Sequence, residues 1–502
     1  MTKEAPQTSQ SEGLPSASAI ADILPDTVSL DGLRADGILP IRWEHDLLIV
    51  AVPSLDRYDR AQALGYALGA VVDVEIFEVS AIVQRLNELY DLKSGMADDA
   101  VRDMEGIDDV DALAREDVLS DSVDVPVIRL VNGLFVDAMK QRATDIHVEP
   151  YEDSVVVRFR TDGVLRDRLT LPRSHQAPLV SRLKVMARMD IAEHMTPQDG
   201  RIGITVGGRA VDIRVNSIPT QHGERIALRL LDKGSGVLTL RELGMDDREL
   251  GLMERIISNP YGMILFTGPT GSGKSTSLYA ILQELAKPSV NVITVEDPVE
   301  YDLPGVAQIQ VNEKAGMTFA SALRSILRQD PDIVMIGEMR DFDTAHIGVQ
   351  ASLTGHLVLS TLHTNDSISA VARLVDMEVE PYLVAGSLVG VIAQRLVRRL
   401  CPYCRRSVDV PSMLRRQGVN HAWGAEGCPQ CAGTGYRGRV GIYEQLLMDD
   451  GLKEAVARNA SAREMRDLAK PQGFRTLWEI GLSLVDQGTT SPEELIRVAG
   501  ES

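Results

Sequence analysis

The chain has 502 residues, 44% of them hydrophobic, and a formal charge of −20. The length points to about three or four domains, and the apolar content is ample for packed cores. The acidic balance argues against a surface built to neutralise nucleic-acid phosphates, without excluding a local basic patch. Met1 to Gly13 lacks the apolar core of a signal peptide. No apolar run reaches the ~18 residues of a membrane span. Tyr382 to Val397 comes nearest but contains Ser387, Gln394 and Arg395, so it reads as a buried helix. A soluble, cytosolic protein is expected, with any membrane association peripheral.

Residues 1–24 are rich in Ser, Pro, Ala and Gly and read as a disordered tail. Residues 25–95 read as a small α/β module. Leu47–Val52 and Val71–Phe77 are strands, Asp56–Leu68 is a helix between them, and Ser80–Leu92 is a closing helix. The module has no catalytic constellation and reads as a docking platform, or simply as a folding domain. Residues 96–125 hold eleven acidic side chains from Asp98 to Asp124 against Arg102 and Arg115. Such a segment repels itself and stays extended, so a linker is expected.

Residues 126–236 form a second module. Val127, Leu130, Val131, Leu134 and Ala138 mark one face of a helix. Asp145, His147 and Glu149 alternate along a strand and share a face. They could be metal ligands, or a solvated strand face. Val155–Arg160 and Arg209–Val215 are further strands, Ser181–Met189 is helical, and Gln221–Arg225 turns into a strand at Ile226–Leu231. Arg214 and Arg229 stand out in this module.

In residues 237–396, Gly268, Pro269, Thr270, Gly271, Ser272, Gly273, Lys274 and Ser275 fit a phosphate-binding loop, with Thr276 following. An apolar strand precedes it at Gly262–Thr267. Leu278, Ile281, Leu282 and Leu285 continue it at helical spacing. Backbone N–H groups and the helix N-terminus then surround a polyphosphate. Lys274 reaches the β- and γ-phosphates, and the Ser275 hydroxyl sits on Mg²⁺. Strand Val290–Val295 ends at Glu296 and Asp297, and strand Asp332–Gly337 ends at Glu338. In an open parallel sheet these carboxylates face the ligand crevice, where Glu338 can polarise an attacking water. Ala322–Gln329 reads as a helix presenting Arg324 and Arg328 at i, i+4. Strand Leu357–Thr361 is bracketed by His356 and His363, either structural or sensing a terminal phosphate.

The four cysteines form Cys401-Pro-Tyr-Cys404 and Cys428-Pro-Gln-Cys431, twenty-three residues apart, in a segment bounded at 397–440. The pattern resembles a structural Zn²⁺ site with all four positions filled by protein. Disulfides, the rival, are disfavoured in a cytosolic chain. Arg395, Arg398, Arg399, Arg405 and Arg406 crowd the first knuckle. They read as a solvated face, or as a patch for anionic lipid or an acidic partner. Residues 441–502 read as helices, one of them starting at Ser491-Pro492.

These motifs together resemble the secretion ATPases that power type II secretion and type IV pilus assembly, over about Pro126 to the C-terminus. Gly268–Ser275 is similar to the family's Walker A loop, and Ile293–Tyr301 to its aspartate box. Leu327–Asp341, with Glu338, is similar to its Walker B region, and Gly355–Asn365 to its histidine box. Asp145–Pro150 also resembles a family signature, which weakens the metal reading there. The paired cysteine motif matches the zinc subdomain of the secretion and assembly branch, which retraction motors lack.

The resemblance implies a RecA-like P-loop domain, preceded by a PAS-like domain and a docking domain. It implies an ATP hydrolase that uses Mg²⁺ and works as a homo-hexamer. Lys274, Glu296, Glu338 and His363 would serve catalysis, and Arg214, Arg229, Arg324 and Arg328 would contact nucleotide as the second N-terminal domain closes on the motor. The first module would dock on the cytoplasmic domain of an inner-membrane assembly protein, beside an inner-membrane platform protein. Glu116–Leu119 running into Pro126–Asn132 looks like the type II branch. A pilus-assembly ATPase is the alternative. A nucleic-acid motor and a non-hydrolysing scaffold are less favoured.

Overall fold

The computed structural model describes residues 126–500 apart from 207–208, 233–235 and 237. It also describes residues 36–79 apart from 45–46, and scattered positions between 14 and 33 and between 81 and 89. The expected linker at 96–125 lies outside the described residues, as do most of the expected N-terminal tail and much of the expected helix Ser80–Leu92. The chain separates into two units, 1–235 and 236–502.

In the first unit, β1 (Leu39–Glu44) and β2 (Leu47–Val52) pair antiparallel. β3 (Val71–Ile76) joins β2 in parallel. That connection needs a crossover, supplied by the helix Tyr58–Leu68, which ends on Gly69 in the left-handed conformation. β2 is buried along most of its length, whereas β3 is an edge strand with Val71 and Ile76 exposed.

Residues 126–232 form a six-stranded antiparallel sheet in the order β6-β5-β4-β9-β8-β7. The strands are β4 (Ala143–Pro150), β5 (Ser154–Thr161), β6 (Val164–Pro172), β7 (Gln198–Val206), β8 (Arg209–Thr220) and β9 (Gly223–Asp232). Alternate residues such as Ile146, Val157, Ile213 and Leu228 form one core with the helices Pro126–Lys140 and Gln176–Ala187. The period of two leaves the opposite face polar.

The second unit is built on a seven-stranded sheet, ordered β12-β11-β13-β14-β10-β15-β18. It comprises β10 (Gly262–Thr267), β11 (Val292–Glu296), β12 (Val306–Gln310), β13 (Ile333–Ile336), β14 (Leu357–Leu362), β15 (Leu388–Leu400) and β18 (Tyr436–Leu447). All pairs are parallel except β15–β18. β10, β11, β13 and β14 are buried throughout, the unbroken apolar reading of parallel strands covered on both faces. Separate clusters pack the two faces, one around Met263, Leu265 and Val334, the other around Ile264, Phe266 and Leu359.

Three expectations are corrected here. Tyr382–Val397 is not one helix. The helix Pro381–Ser387 gives way to β15, because Leu388–Val397 completes the sheet beside β10. The segment expected to be helical as Ala322–Gln329 is the helix Phe319–Ile326, so Arg328 falls in the following turn. The boundaries read at 396/397 and 440/441 both fall inside strands. The cysteine segment is an excursion between β15 and β18, which themselves belong to the sheet. β16 (Arg406–Val408) and β17 (Ala422–Gly424) pair within it.

Candidate functional site

β10 delivers the phosphate loop to the C-terminal edge of the parallel strands. The loop needs glycine at close approaches. A Cβ on Gly268 would lie 2.6 Å from the Gln394 carbonyl, and one on Gly273 would lie 2.7 Å from Gln394 Nε2. Gly273 also has φ +91° and starts the helix Lys274–Leu285, where a side chain would be strained. The helix N-terminus therefore faces the loop with unsatisfied N–H groups and a positive dipole end. The buried Lys274 ammonium donates to the carbonyls of Gly268 (2.7 Å) and Pro269 (3.2 Å). Burial, and then the nearby Arg395 cation, lower its pKa to about 8, against a raising pull from Glu338. Ser275 is exposed in the first helical turn.

Glu338 follows β13 and is fixed by backbone ties on both sides. Gly337 N donates to Val295 O (2.8 Å), Met339 N donates to Thr361 O (3.0 Å), and Thr361 Oγ1 donates to Gly337 O (2.7 Å). Its carboxylate pairs with Arg340 at 2.6 Å and lies 3.5 Å from His363 Nε2. His363 follows β14, the next strand in the sheet. Burial first, then Lys274, lower the His363 pKa, although Glu338 opposes them. The shift favours the uncharged ring. Thr267 Oγ1, at the end of β10, meets Thr364 Oγ1 at 2.6 Å and accepts from Thr364 N at 2.9 Å. This ties the histidine segment to the phosphate loop.

Glu296 and Asp297 part company. Asp297 is exposed. Glu296 is buried and spent on neutral donors: the Tyr279 hydroxyl, Thr294 Oγ1 (2.5 Å) and Gln308 Nε2 (3.0 Å). That network positions the end of β11. Arg324 lies 3.8 Å from Asp343, and Arg328 donates to Ser325 Oγ, so the two do not share one helical face.

Arg214 and Arg229 belong to the first unit. Cross-strand register places Arg201, Arg214, Arg229, Asp145 and Arg160 in one row over β7, β8, β9, β4 and β5. Like charges directly opposite one another destabilise a sheet. Asp145 lies between Arg229 and Arg160 in this row, and Arg214 and Arg201 follow on the next two strands. Arg229 Nε donates to Asp145 (3.1 Å), and Glu149 binds Arg225 (2.6 Å) and Arg158 (3.4 Å). Asp145 and Glu149 are thus occupied by arginines, which argues against the metal reading of that strand. Nothing in the sequence marks Arg201 and Arg160, because cross-strand register is not visible along the chain.

The four cysteine sulfurs lie within 4.8 Å of one another. Cys401–Cys428 and Cys404–Cys431 are 3.8 Å apart, and Cys428–Cys431 is 3.7 Å. Four thiolates at ~2.3 Å from a tetrahedral ion stand about 3.8 Å apart, so the set fits Zn²⁺. Burial opposes ionisation of Cys431, but N–H donation from Cys428 and Gly435 and the neighbouring thiols bring it down to about 6. The excursion packs on the C-terminal helices. Asn420 and His421 N–H groups bond Asp486, Trp478 bonds Gln417, and Leu414, Val419, Val485 and Leu495 share a core.

The arginines near the first knuckle are not one patch. Arg398 is bound to the buried Glu494 (2.8 Å), and Arg405 donates to Gly488 O (2.7 Å). Arg395 turns to the phosphate loop.

Fold and site define a P-loop ATPase of the secretion type. A family model described as "Type II/IV secretion system protein" matches residues 120–497, and the chain belongs to that family. It is 52% identical over 386 residues to "Type II secretion system protein HxcR" of Pseudomonas aeruginosa, covering 77% of this chain and 80% of the relative. It is 48% identical over 430 residues to "Type II secretion system ATPase E" of Vibrio cholerae, covering 83% and 85%. The pilus retraction motor PilT with bound ADP superposes at TM-score 0.51 and 26% identity, covering 72% of this chain and 95% of that one. The Legionella pneumophila ATPase DotB superposes at TM-score 0.55 and 21% identity, covering 73% and 94%. At that identity the second likeness speaks to fold alone. No helix among the described residues is long and apolar enough to cross a membrane.

Proposed function

We propose that the chain is the ATPase that energises type II secretion, a hexameric translocase motor coupling ATP hydrolysis to pseudopilus assembly. The observation that carries this reading is the convergence of Lys274, Glu338 and His363 on one sheet edge beside the phosphate loop. Lys274 and the helix N-terminus bind the polyphosphate. Glu338 orients and polarises water, and His363, 3.5 Å from it, is placed to sense the terminal phosphate. Arg324 and Arg328 supply positive charge from the motor. Catalysis of phosphoryl transfer is largely positioning and charge neutralisation, which these parts supply. Mg²⁺, held through Ser275 and the nucleotide, would neutralise phosphate charge.

The four cysteines would hold Zn²⁺, whose contribution is a cross-link between the two knuckles. The N-terminal module docks on the cytoplasmic domain of an inner-membrane assembly protein and, with a platform protein, keeps the motor peripheral to that membrane. The test is ATPase activity and particle size with and without such partners, together with a deletion scored for exoprotein release and for piliation. Loss of pili with normal secretion would move the assignment to the pilus branch.

A further inference from the structure

Arg395 sits where no loop motif places it. β10 lies between β14 and β15 in the sheet, and Thr267 is paired with Ala393. Arg395 therefore lies within β15, one residue beyond the position level with the first residue of the phosphate loop. A Cβ on Gly268 would be 3.0 Å from Arg395 Nη1, so the guanidinium packs on that glycine. It then crosses the end of β10 to the end of β14. There Nη2 donates to Asn365 O (2.9 Å) and Asn365 Oδ1 (3.3 Å), while Nη1 donates to Gln394 O (3.1 Å). Asn365 is two residues beyond His363.

All three acceptors are neutral. Among the described residues no carboxylate pairs with Arg395, although Glu444 and Asp366 act on it at longer range. Burial lowers its pKa and dominates those pulls. Its charge in turn depresses Lys274. Two cations thus share one loop, held by carbonyl oxygens. A half-buried guanidinium with neutral partners gains most from an anion. A planar fork lying over the loop matches phosphate geometry.

We propose that Arg395 is a phosphate-contacting residue supplied within the subunit, exchanging its Asn365 contacts for the terminal phosphate of a bound nucleoside triphosphate. The proposal rests on the nucleotide reading of the loop. It gives the site a link by which that phosphate reaches the histidine segment: Asn365, released by Arg395, frees the chain next to His363. The competing role is a strut that ties β15 to the end of β14 and touches no ligand.

The test is calorimetric binding of a non-hydrolysable ATP analogue with Mg²⁺, and of ADP, to the full chain, with thermal melting alongside. Arg395→Gln should weaken the triphosphate by about ten- to a hundredfold and ADP by less than about threefold, with the melting temperature unchanged. Arg395→Lys should restore part of the loss, because the charge remains and the fork does not. Equal losses for both nucleotides, or a lower melting temperature with unchanged affinities, would make Arg395 a strut and overturn the proposal. If the wild-type chain binds neither nucleotide, the reading of the loop itself falls. If it binds both and Arg395→Gln binds them equally well, only the assignment of Arg395 falls.

Discussion

Cys401, Cys404, Cys428 and Cys431 meet within 4.8 Å from two short knuckles. Lys274, Glu338, His363 and Arg395 approach one edge from four elements: the helix after β10, the segments after β13 and β14, and β15 itself. The cysteine set is closed. Its four sulfurs have the spacing of a tetrahedral set, and its surroundings are hydrogen bonds and a small core. The phosphate site is open. Its cations rest on carbonyls, and its carboxylate is shared by an arginine and a histidine. A closed set stabilises structure, because no position remains for substrate. An open set retains uncompensated charge, which lowers stability locally and supplies reactivity.

The widest gap between the two regions should appear in turnover. Glu338→Gln is expected to cut ATP hydrolysis by about 10²-fold or more while nucleotide binding stays within a few-fold. A steady-state assay paired with equilibrium binding reads both, and normal turnover would remove Glu338 from its role. On the closed side, Cys401→Ser should abolish bound zinc by elemental analysis. It should also expose the 401–435 segment to protease while nucleotide affinity holds. A simultaneous collapse of nucleotide binding would show that the two regions are one cooperative unit.

Glu494 tests the packing that clamps the excursion. It is buried and bonded to Arg398 and Arg497. Removing one partner of a buried pair costs about 3–5 kcal/mol, so Glu494→Gln should lower the melting temperature clearly. Burial alone would raise this carboxyl, yet Arg497 and Arg398 hold it below the usual range. A depressed carboxylate contributes stability that is complete above its unfolded value and lost as pH falls through the folded one. Below about pH 4.5 the wild type should therefore lose this contribution, and the variant's melting temperature should depend less on acid.

A smaller effect separates the open site by pH. With Lys274 at about 8, its protonated fraction falls about tenfold between pH 7 and pH 9. ATP affinity should weaken by up to that factor as pH rises. Binding curves at the two pH values check this, and a flat profile would show that Lys274 keeps its proton. Least of all, Thr267→Val removes the hydroxyl that ties β10 to Thr364 and should cost about 1 kcal/mol by chemical denaturation.

How far the sequence reached depended on whether a feature is contiguous. The phosphate loop was legible because strand, glycines and helix follow one another within one short segment. The knuckles were legible because two paired spacings encode a ligand set. Arg395 was misplaced with its neighbours Arg398 and Arg405, since five arginines near a knuckle look alike along the chain. Register sent one to the loop, one to Glu494 and one to Gly488. Glu296 looked like a second crevice carboxylate by the same strand-end rule as Glu338. Only the tertiary fold shows it enclosed by Tyr279, Thr294 and Gln308.

By itself the sequence determined the chemistry available: a loop that cradles polyphosphate, four thiols spaced for one ion, and strands apolar enough to be buried on both faces. These are local properties, set by backbone freedom at Gly268 and Gly273, by ligand spacing and by hydropathy. The tertiary structure alone decided which charges meet. Strand order brings Lys274, Glu338, His363 and Arg395 to one edge. Cross-strand register lines up Arg201, Arg214, Arg229 and Arg160, and the C-terminal helices close over the cysteine excursion. Electrostatic interaction depends on distance in space and on burial, and neither is written in separation along the chain.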